Sequence, residues 1–344
     1  MQTQAVWHSG ISHEALLRRA RLLAQIREFF ALRQVLEVDV PTLGLRGASD
    51  PHIDSLVTTG PDVRYLQTSP EYFLKRLLAG GCGPVYSLAK AFRAGDRGRL
   101  HNPEFTLLEW YRPGWDEYQL MDEIADLLAN VGLTPQDSKG KGPQDSKGQG
   151  SKDAAQSPSA PATPKRFSYR DIFLVMVGVD PHTEDLAVLR KLAGEIAHRD
   201  FSNETRATCL DVIFSFEIEA RLPSGVVFVE AYPACLSALA QLGADEEGTE
   251  VARRFEVFLD GVELANGYFE LCDGAEQRRR FAEDNRQRKM LGKAEMPLDE
   301  KLLAALDAGL PSCAGVALGV DRLLMRLMGA QQIDEVIAFA DGRP

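Results

Sequence analysis

The sequence predicts an α+β fold, an antiparallel β-sheet flanked by helices, and three observations favour it. Segments of alternating apolar and polar residues occur in neighbouring pairs, 84–93 with 104–112 and 254–259 with 262–271. A short stretch that contains glycine joins the members of each pair, as in a hairpin. Stretches with apolar residues at helical spacing surround these pairs. Paired strands with helices outside them are the pattern of an α+β domain.

The N-terminal part predicts a helix, a strand and a second helix. Residues 12–33 carry apolar side chains at helical spacing behind Ser12, a residue type that caps helix N-termini. Residues 35–43, VLEVDVPTL, alternate apolar and acidic side chains and predict a half-buried strand that Pro41 closes. Residues 69–81, SPEYFLKRLLAGG, predict a helix that a Ser-Pro pair opens and a Gly-Gly pair ends.

The C-terminal part predicts helices, further strands and a hairpin. Asp260-Gly261 is a two-residue turn signal between two apolar strand segments, so we expect a hairpin there. The predicted elements are a helix at 211–220, a strand at 226–234, the hairpin at 254–271, a charged helix at 275–291 and a strand that runs into a helix at 315–330.

Length and composition are those of a folded chain that works inside a cell. With 344 residues and 44% hydrophobic side chains it can bury a sizeable core, and we expect a single domain spanning 1–344. No apolar run approaches the roughly 18 residues of a membrane span, and the start lacks the features of a secretory signal. The five cysteines form no CxxC pair, which suits the cytoplasm.

The net charge of −11 bears on the partners of the chain. A protein that grips a nucleic-acid backbone usually carries the opposite balance, so no stable tRNA binding is expected. A small polyanion needs only a local cluster of arginines, and the net charge leaves that possibility open.

Residues 134–165 interrupt the apolar pattern with a low-complexity segment. The hexapeptide PQDSKG occurs twice in it, and apolar side chains are almost absent. Such a stretch cannot bury enough surface to offset its ordering entropy. Because apolar periodicity resumes on both sides, we interpret it as a flexible insertion within one domain.

The strand after the first glycine-containing turn carries unusual polar residues. Alternation puts Phe105, Leu107, Glu109 and Tyr111 on one of its faces. A carboxylate and a phenol on an otherwise apolar face are costly to bury unless each has a partner. An ammonium group of a ligand would satisfy both, and a structural arginine or lysine beside Glu109 is the alternative.

Two arginines are candidates for binding an anion. Arg93 ends the strand before the turn, and Arg322 follows Gly315, Ala317 and Gly319 where a strand meets a helix. Guanidinium groups hold phosphates and carboxylates in bidentate geometry, and small residues let a ligand approach the backbone. Either arginine alone would more often be part of a surface ion pair.

Two acidic residues in ELANGYFEL are candidates for holding Mg²⁺. Glu263 and Glu270 are an odd number of residues apart, so a regular strand would point them to opposite faces. A bulge or turn near Asn266-Gly267 would let them converge beside a triphosphate. Two unrelated exposed acids are the alternative.

Taken together, these segments resemble the class IIb aminoacyl-tRNA synthetases. FRAGDRGRLHNPEFTLLEWYR is similar to motif 2 of that family, GVALGVDRLLM to motif 3, and VLEVDVPTL to motif 1, the dimer-interface strand that ends in proline. TSPEYFLKRLL and ELANGYFEL are similar to the substrate segments of lysyl-tRNA synthetases. The five segments occur in the family's order over nearly the whole chain outside 134–165. The resemblance implies the catalytic fold of the family and a homodimer.

Within the family, the chain resembles most closely the truncated lysyl-tRNA synthetase paralogues that ligate β-lysine to elongation factor P. It begins almost directly with the helix before motif 1, where a lysyl-tRNA synthetase has an anticodon-binding OB-fold of about a hundred residues. Ala317 stands where lysyl-tRNA synthetases usually carry glycine, which should reshape the amino-acid pocket.

Carried over by matching position, the resemblance implies an amino-acid pocket, an ATP site and a metal site. For the amino acid, lysine or β-lysine, it implies Ser69, Pro70, Glu71, Tyr111 and Glu270, with Glu109 as a further contact to an ammonium group. For ATP it implies Arg93, His101, Asn102, Phe105, Glu263, Leu264, Gly319 and Arg322. For Mg²⁺ it implies Glu263 and Glu270. Arg93 and Arg322 are the catalytic residues that it implies.

The chain also departs from the family pattern. Motif 2 usually begins Arg-Asn-Glu, and here it reads Arg93-Ala94-Gly95. The absent glutamate normally helps to position the nucleotide, and Asp96 would replace it only if the loop shifts. The segment YPACLSALA differs from the usual FPASQASLA by Cys235 and Leu236.

The implied activity is ATP-dependent ligation through an aminoacyl-adenylate, with AMP and pyrophosphate as products and elongation factor P as the acceptor. Three alternatives remain at this point. A truncated lysyl-tRNA synthetase would charge tRNA, and a regulatory paralogue would bind ligand without turnover. An asparagine-type amide synthetase shares the fold but should not need the ammonium site at Glu109 and Tyr111.

Overall fold

The computed structural model describes residues 9–133 and 164–341. Its helices are α1 (His13–Leu32), α2 (Glu71–Ala79), α3 (Glu117–Asn130), α4 (Tyr169–Met176), α5 (Leu186–Ala197), α6 (Arg206–Ile213), α7 (Gly274–Met290), α8 (Glu300–Gly309) and α9 (Val320–Met328). Short π- and 3₁₀-helical segments follow α6, as Phe214–Ile218 and Glu219–Arg221. None of the helices in the described ranges combines the length and apolar character needed to cross a bilayer.

The strands form one large sheet and a separate two-stranded ribbon. They are β1 (Leu36–Glu37), β2 (Leu43–Gly44), β3 (Tyr65–Leu66), β4 (Val85–Phe92), β5 (Glu104–Pro113), β6 (Lys165–Ser168), β7 (Val226–Pro233), β8 (Leu242–Ala244), β9 (Glu250–Leu259), β10 (Val262–Phe269) and β11 (Cys313–Gly319). The large sheet has the order β1-β4-β5-β11-β10-β9-β7-β6, with β8 paired to β9, while β2 and β3 pair with each other.

The predicted α+β class is confirmed, with a mixed sheet in place of a purely antiparallel one. The central pairs β4–β5, β5–β11, β11–β10 and β10–β9 are antiparallel. Parallel pairing occurs between β1 and β4 and between β6 and β7. Strands from before and after residues 134–163 therefore share one sheet.

Side-chain alternation along β5 separates the core from the open side of the sheet. Leu108 and Trp110 belong to the largest buried cluster, together with Ile26 and Phe30 of α1 and Leu324 of α9. The helices α1, α3 and α9 supply most of the helical side chains of this cluster. Because these side chains cover one face of the central strands, the side chains of opposite parity on β5 are free to face a ligand site.

The predicted hairpin at Asp260-Gly261 is confirmed. Both turn residues have positive φ, 49° and 71°, the values that a tight two-residue turn between twisted strands requires. A Cβ on Gly261 would also lie 2.9 Å from the carbonyl oxygen of Glu219. Glycine therefore suits this position both for its backbone freedom and for lack of space.

The first strand of the sheet is shorter than the sequence predicts. The strand expected over 35–43 is wrong in extent, because only Leu36–Glu37 pairs with β4 and both residues are exposed. Backbone pairing resumes only at β2, in the separate ribbon. The predicted insertion 134–165 lies outside the described residues except for its last two, of which Lys165 already begins β6.

Candidate active site

A cavity of about 780 Å³ lies against the central strands β5, β11 and β10. Every predicted site residue except Pro70 lines its wall. Pro70 is the N-cap residue of α2, between Ser69 and Glu71, which both lie on the wall. The fold therefore brings together residues from α2, the β4–β5 turn and three strands.

The predicted face of β5 points into this cavity. Phe105, Leu107, Glu109 and Tyr111 all lie on the wall, whereas Trp110 is buried on the other side of the sheet. The antiparallel pairing of β5 with β11 carries this face next to the glycine-rich strand.

Glu109 is a buried carboxylate that has no cationic partner among the described residues. Its side chain is 2% exposed and accepts hydrogen bonds from the Ser69 hydroxyl, at 2.6 Å, and from the Tyr111 hydroxyl, at 2.8 Å. No lysine or arginine of residues 9–133 and 164–341 forms an ion pair with it, so the structural ion pair considered from sequence is absent there. Burial, and next the nearby Glu71 carboxylate, raise its pKa to about 8. An ammonium group brought by a ligand would supply the missing charge.

A second acidic group is held by a lysine that the sequence analysis did not select. Lys75 on α2 is 2% exposed, and its Nζ lies 2.6 Å from Glu71 Oε1 and 2.6 Å from Glu270 Oε2. Glu270 is fully buried, and its Oε1 has no hydrogen-bond donor within the described part of the chain. Burial raises the pKa of Glu270 to about 7, against the lowering effect of Lys75.

A β-bulge in β10 brings Glu263 to the same cavity wall as Glu270. The bulge lies at a different position from the one predicted from the sequence. The pairing register between β9 and β10 shifts between Glu263 and Ala265, so Leu264 is the extra residue. The bulge predicted near Asn266-Gly267 is therefore wrong in position. Its effect on side-chain direction is as expected, because both acids line the cavity.

The opposite end of the cavity, called the cationic end below, carries Arg93 and Arg322, with the acids Asp96 and Glu263 beside them. Arg322 at the start of α9 donates to the Glu263 carbonyl at 2.8 Å, to the Glu263 carboxylate at 3.3 Å and to His101 Nε2 at 2.6 Å. Burial, followed by the Arg322 charge, lowers the pKa of His101, which keeps the imidazole neutral and able to accept this bond.

Arg93, on the cavity wall, has unused hydrogen-bonding capacity. Its guanidinium carbon lies 5.1 Å from the ring centre of Phe105, and its Nε is buried without a partner in the described ranges. A buried donor without an acceptor is costly, so an anion bound here would recover that free energy. Asn102 also lies on this wall, but its amide is already used: it donates to the Glu104 carbonyl and accepts from the Asp341 amide.

Gly315 of β11 leaves room for side chains of the neighbouring strands, and Gly319 is the last residue of the same strand. A Cβ on Gly315 would lie 2.3 Å from the Tyr111 ring and 2.4 Å from Glu270 Oε1. Gly319 is the N-cap residue of α9 and lies, like Ala317, on the cavity wall. Gly315 therefore permits the contact between the Tyr111 and Glu270 side chains.

An arginine network on β9 and β10 was missed by the sequence analysis. Arg254 lines the cavity, donates to Asn266 Oδ1 at 3.2 Å and pairs with the partly buried Glu256. Burial raises the pKa of Glu256 to about 7, although Arg254 opposes this. Strand alternation contains the signal, because Arg254 and Glu256 lie on either side of Phe255, as Glu109 and Tyr111 lie on either side of Trp110.

The loop that departs from the family pattern brings an acid to the cavity. The Ala94 amide donates to the Asp54 carbonyl at 2.7 Å, and Gly95 has a φ of 83°. The next residue, Asp96, lies on the cavity wall and raises the pKa of His101 through its charge, against the lowering by burial and Arg322. A carboxylate is therefore present at this wall although position 95 is glycine.

Comparison with known proteins finds similarity along nearly the whole chain. The family model for class II tRNA synthetases (D, K and N) matches residues 7–343. Over 356 aligned positions the chain is 42% identical to a protein of Edwardsiella ictaluri (strain 93-146) named elongation factor P--(R)-beta-lysine ligase. The alignment covers 100% of both proteins.

The state of Glu109 predicts how binding of an amino acid depends on pH. With a pKa of about 8 the free carboxyl is protonated at pH 6, whereas a bound ammonium group favours the ionised form. Binding should then release a proton, so the KM for the amino acid should fall by up to about tenfold per unit as pH rises from 6 towards 8. A substrate ε-amine, with a pKa near 10.4, stays charged throughout.

Steady-state pyrophosphate exchange at several pH values measures this dependence, and Glu109→Gln is the control that removes the titrating group. The slope should become shallower in the variant, because Glu270, with a pKa of about 7, still titrates in this range. The KM of the variant should also be higher than that of the wild type at pH 8. A KM that is independent of pH in the wild-type protein would mean that Glu109 is already ionised without ligand.

Proposed function

This chain belongs to the class II tRNA synthetase family, and we propose that it is an ATP-dependent ligase that joins (R)-β-lysine or lysine to elongation factor P. It activates the amino acid as an aminoacyl-adenylate and transfers it to a lysine side chain of the acceptor. The full-length similarity to a protein named elongation factor P--(R)-beta-lysine ligase supports (R)-β-lysine as the amino acid and elongation factor P as the acceptor.

One observation carries the proposal: one end of the cavity gathers three carboxylates and the other end two arginines. The acidic end contains Glu71, Glu109 and Glu270, and the cationic end contains Arg93 and Arg322. A molecule with two ammonium groups fits the first end, and a polyphosphate fits the second. The substrate carboxylate then lies between them, beside the α-phosphate.

In the first step, the substrate carboxylate attacks the α-phosphorus of ATP in line and expels pyrophosphate. A carboxylate with a pKa near 4 is already ionised at pH 7, so no general base is needed. The chain contributes positioning and charge stabilisation. Arg93 holds the α-phosphate and the carboxylate, Arg322 the γ-phosphate, and Phe105 stacks on the adenine.

Mg²⁺ is the metal that this chemistry implies. Within the described ranges, no three acidic, histidine or cysteine side chains are close enough to hold a metal by themselves. A Mg²⁺ ion that keeps phosphate oxygens needs only one or two carboxylates. Glu263 beside Arg322 fits that part, whereas Glu270 lies beyond the other end of β10, with Lys75. When bound, the ion neutralises charge on the phosphates.

In the second step, the ε-amine of a lysine on elongation factor P attacks the carbonyl carbon of the mixed anhydride. An amide bond forms, the bond from the carbonyl carbon to the AMP oxygen breaks, and a proton leaves the attacking nitrogen. The neutral amine is the nucleophile, so a buried position for the acceptor side chain would favour the reaction by lowering its pKa.

Two alternatives make different predictions. A truncated lysyl-tRNA synthetase would pass the same adenylate to tRNA, which the net charge of −11 disfavours. A non-catalytic paralogue would explain Ala94-Gly95, but the carboxylate of Asp96 on the cavity wall supports a nucleotide site that is still in use.

The proposed acceptor is tested by mixing the enzyme, ATP and each lysine isomer with purified elongation factor P and weighing the acceptor by intact mass spectrometry. We expect a gain of one lysyl residue that requires ATP. Total tRNA and labelled lysine form the parallel reaction. Labelled tRNA with unmodified elongation factor P would replace the proposal by the first alternative, and no pyrophosphate exchange at all would favour the second.

Arg93 provides a test of the first step. Arg93→Ala should lower pyrophosphate exchange by about a hundredfold or more, because it removes a preorganised charge from the transition state. Arg221→Ala, at a half-exposed helical ion pair, is the matched control and should leave exchange unchanged. Normal exchange by a folded Arg93→Ala protein would remove Arg93 from the mechanism.

We also propose a cytoplasmic homodimer. All five cysteines are free, as a reducing compartment would keep them. Leu36, Leu43 and Leu45 are 56%, 49% and 48% exposed in the segment similar to motif 1 and just after it, an apolar surface that a second copy would cover. Analytical ultracentrifugation should give a dimer, and Leu36→Asp should shift it towards monomer. A monomeric wild-type protein at micromolar concentration would contradict this.

A further inference from the structure

Lys75 is the charged side chain at the acidic end that the proposed mechanism does not yet use. It lies in the first turns of α2 behind the cavity wall, and both of its ion pairs are short, at 2.6 Å to Glu71 and 2.6 Å to Glu270. Neither the lysine nor Glu270 is accessible to solvent beyond 2%. The Lys75 ammonium group therefore links α2 to the residue that follows β10 through two short ionic contacts.

Stability by itself does not account for this arrangement. Bringing an ammonium and two carboxylates out of water costs several kcal/mol per ion, and apolar side chains of similar volume often replace buried ion groups without loss. Apolar side chains are at hand, because Leu74 and Leu78 on the same helix are buried in a cluster with Tyr111. If α2 had only a structural role, an apolar residue at position 75 would stabilise it as well as the lysine does.

The contacts of Lys75 leave part of each partner available. It pairs with Oε2 of Glu270, while Oε1 of the same carboxylate, without a donor in the described part of the chain, lies beside Gly315 and the Tyr111 ring. Glu71 likewise meets the lysine through one oxygen and still lines the cavity. Lys75 thus contacts one oxygen of each carboxylate, and Oε1 of Glu270 faces the Tyr111 ring without a donor among the described residues.

The charge of the acidic end determines which ligand can neutralise it. Three carboxylates, Glu71, Glu109 and Glu270, face one resident ammonium, so the ionised group carries three negative charges less one, a net −2. The two ammonium groups of a diamino acid neutralise that charge. Without the lysine, the three carboxylates would repel one another and take up protons, and their ability to bind an ammonium group would fall.

We propose that Lys75 is a positioning residue that orients Glu71 and Glu270 and sets the charge of the acidic end so that it selects an amino acid with two ammonium groups. This inference rests on the proposed function, because it assumes that an amino acid binds there. Lys75 itself touches neither the substrate nor ATP; it acts through the two glutamates.

The test measures KM for lysine and for ATP separately in pyrophosphate exchange. Lys75→Met removes the charge at similar length, Lys75→Arg keeps it, and Lys191→Met is the control at an exposed helical pair. Lys75→Met should raise the KM for lysine by roughly thirtyfold or more, since one partner of a buried charge group is lost, and leave the KM for ATP within about twofold. Lys75→Arg should show a smaller rise, and Lys191→Met none.

Each outcome decides the inference. An unchanged KM for lysine in folded Lys75→Met, or equal rises for lysine and ATP, would overturn it. If Lys75→Met does not fold in a thermal melt, Lys75→Arg decides: its bulkier guanidinium displaces both glutamates, so a selective rise for lysine supports the inference and wild-type values refute it. Absence of exchange in the wild-type protein would instead refute the proposed function, which keeps the two failures distinct.

Discussion

Buried charge at the acidic end of the cavity is the constraint on which the site depends. Lys75, Glu71, Glu109 and Glu270 come from α2, β5 and the end of β10, and three of the four are at most 2% exposed. Such groups are tolerated only where each has a partner or awaits one. Two of the acids share the lysine, and the third has only hydroxyl donors in the part of the chain that the structure describes. This imbalance makes the end receptive to a cation.

The sheet makes this arrangement possible by separating its two faces. On β5, Leu108 and Trp110 anchor the strand to the helices α1, α3 and α9, while Glu109 and Tyr111 stand on the opposite face. Between β5 and β10 lies β11, where Gly315 has no side chain to push Tyr111 and Glu270 apart. An apolar core on one side therefore holds a polar site rigid on the other.

The cationic end differs from the acidic end in how its charges are satisfied. Arg322 already binds Glu263 and His101, so a phosphate would exchange existing partners for stronger ones. Arg93 has a buried nitrogen without a partner in the described ranges and rests on Phe105. Hydrogen bonds thus hold Arg322 in place, whereas Arg93 rests on the Phe105 ring and keeps a buried nitrogen available for a ligand. This suits a ligand that spans both arginines.

The amino-acid sequence by itself determined the helices α1, α2, α7 and α9, the central strands of the sheet, the hairpin at Asp260-Gly261 and the polar face of β5, but not the helices α3, α4, α5 and α8. These follow from local rules, because turn chemistry and side-chain alternation depend on neighbouring residues. The extent of β1, the bulge at Leu264 and the choice of Lys75 as partner of Glu270 were decided only by the tertiary structure. Each depends on which distant segments the sheet places side by side, and no local pattern encodes that distance.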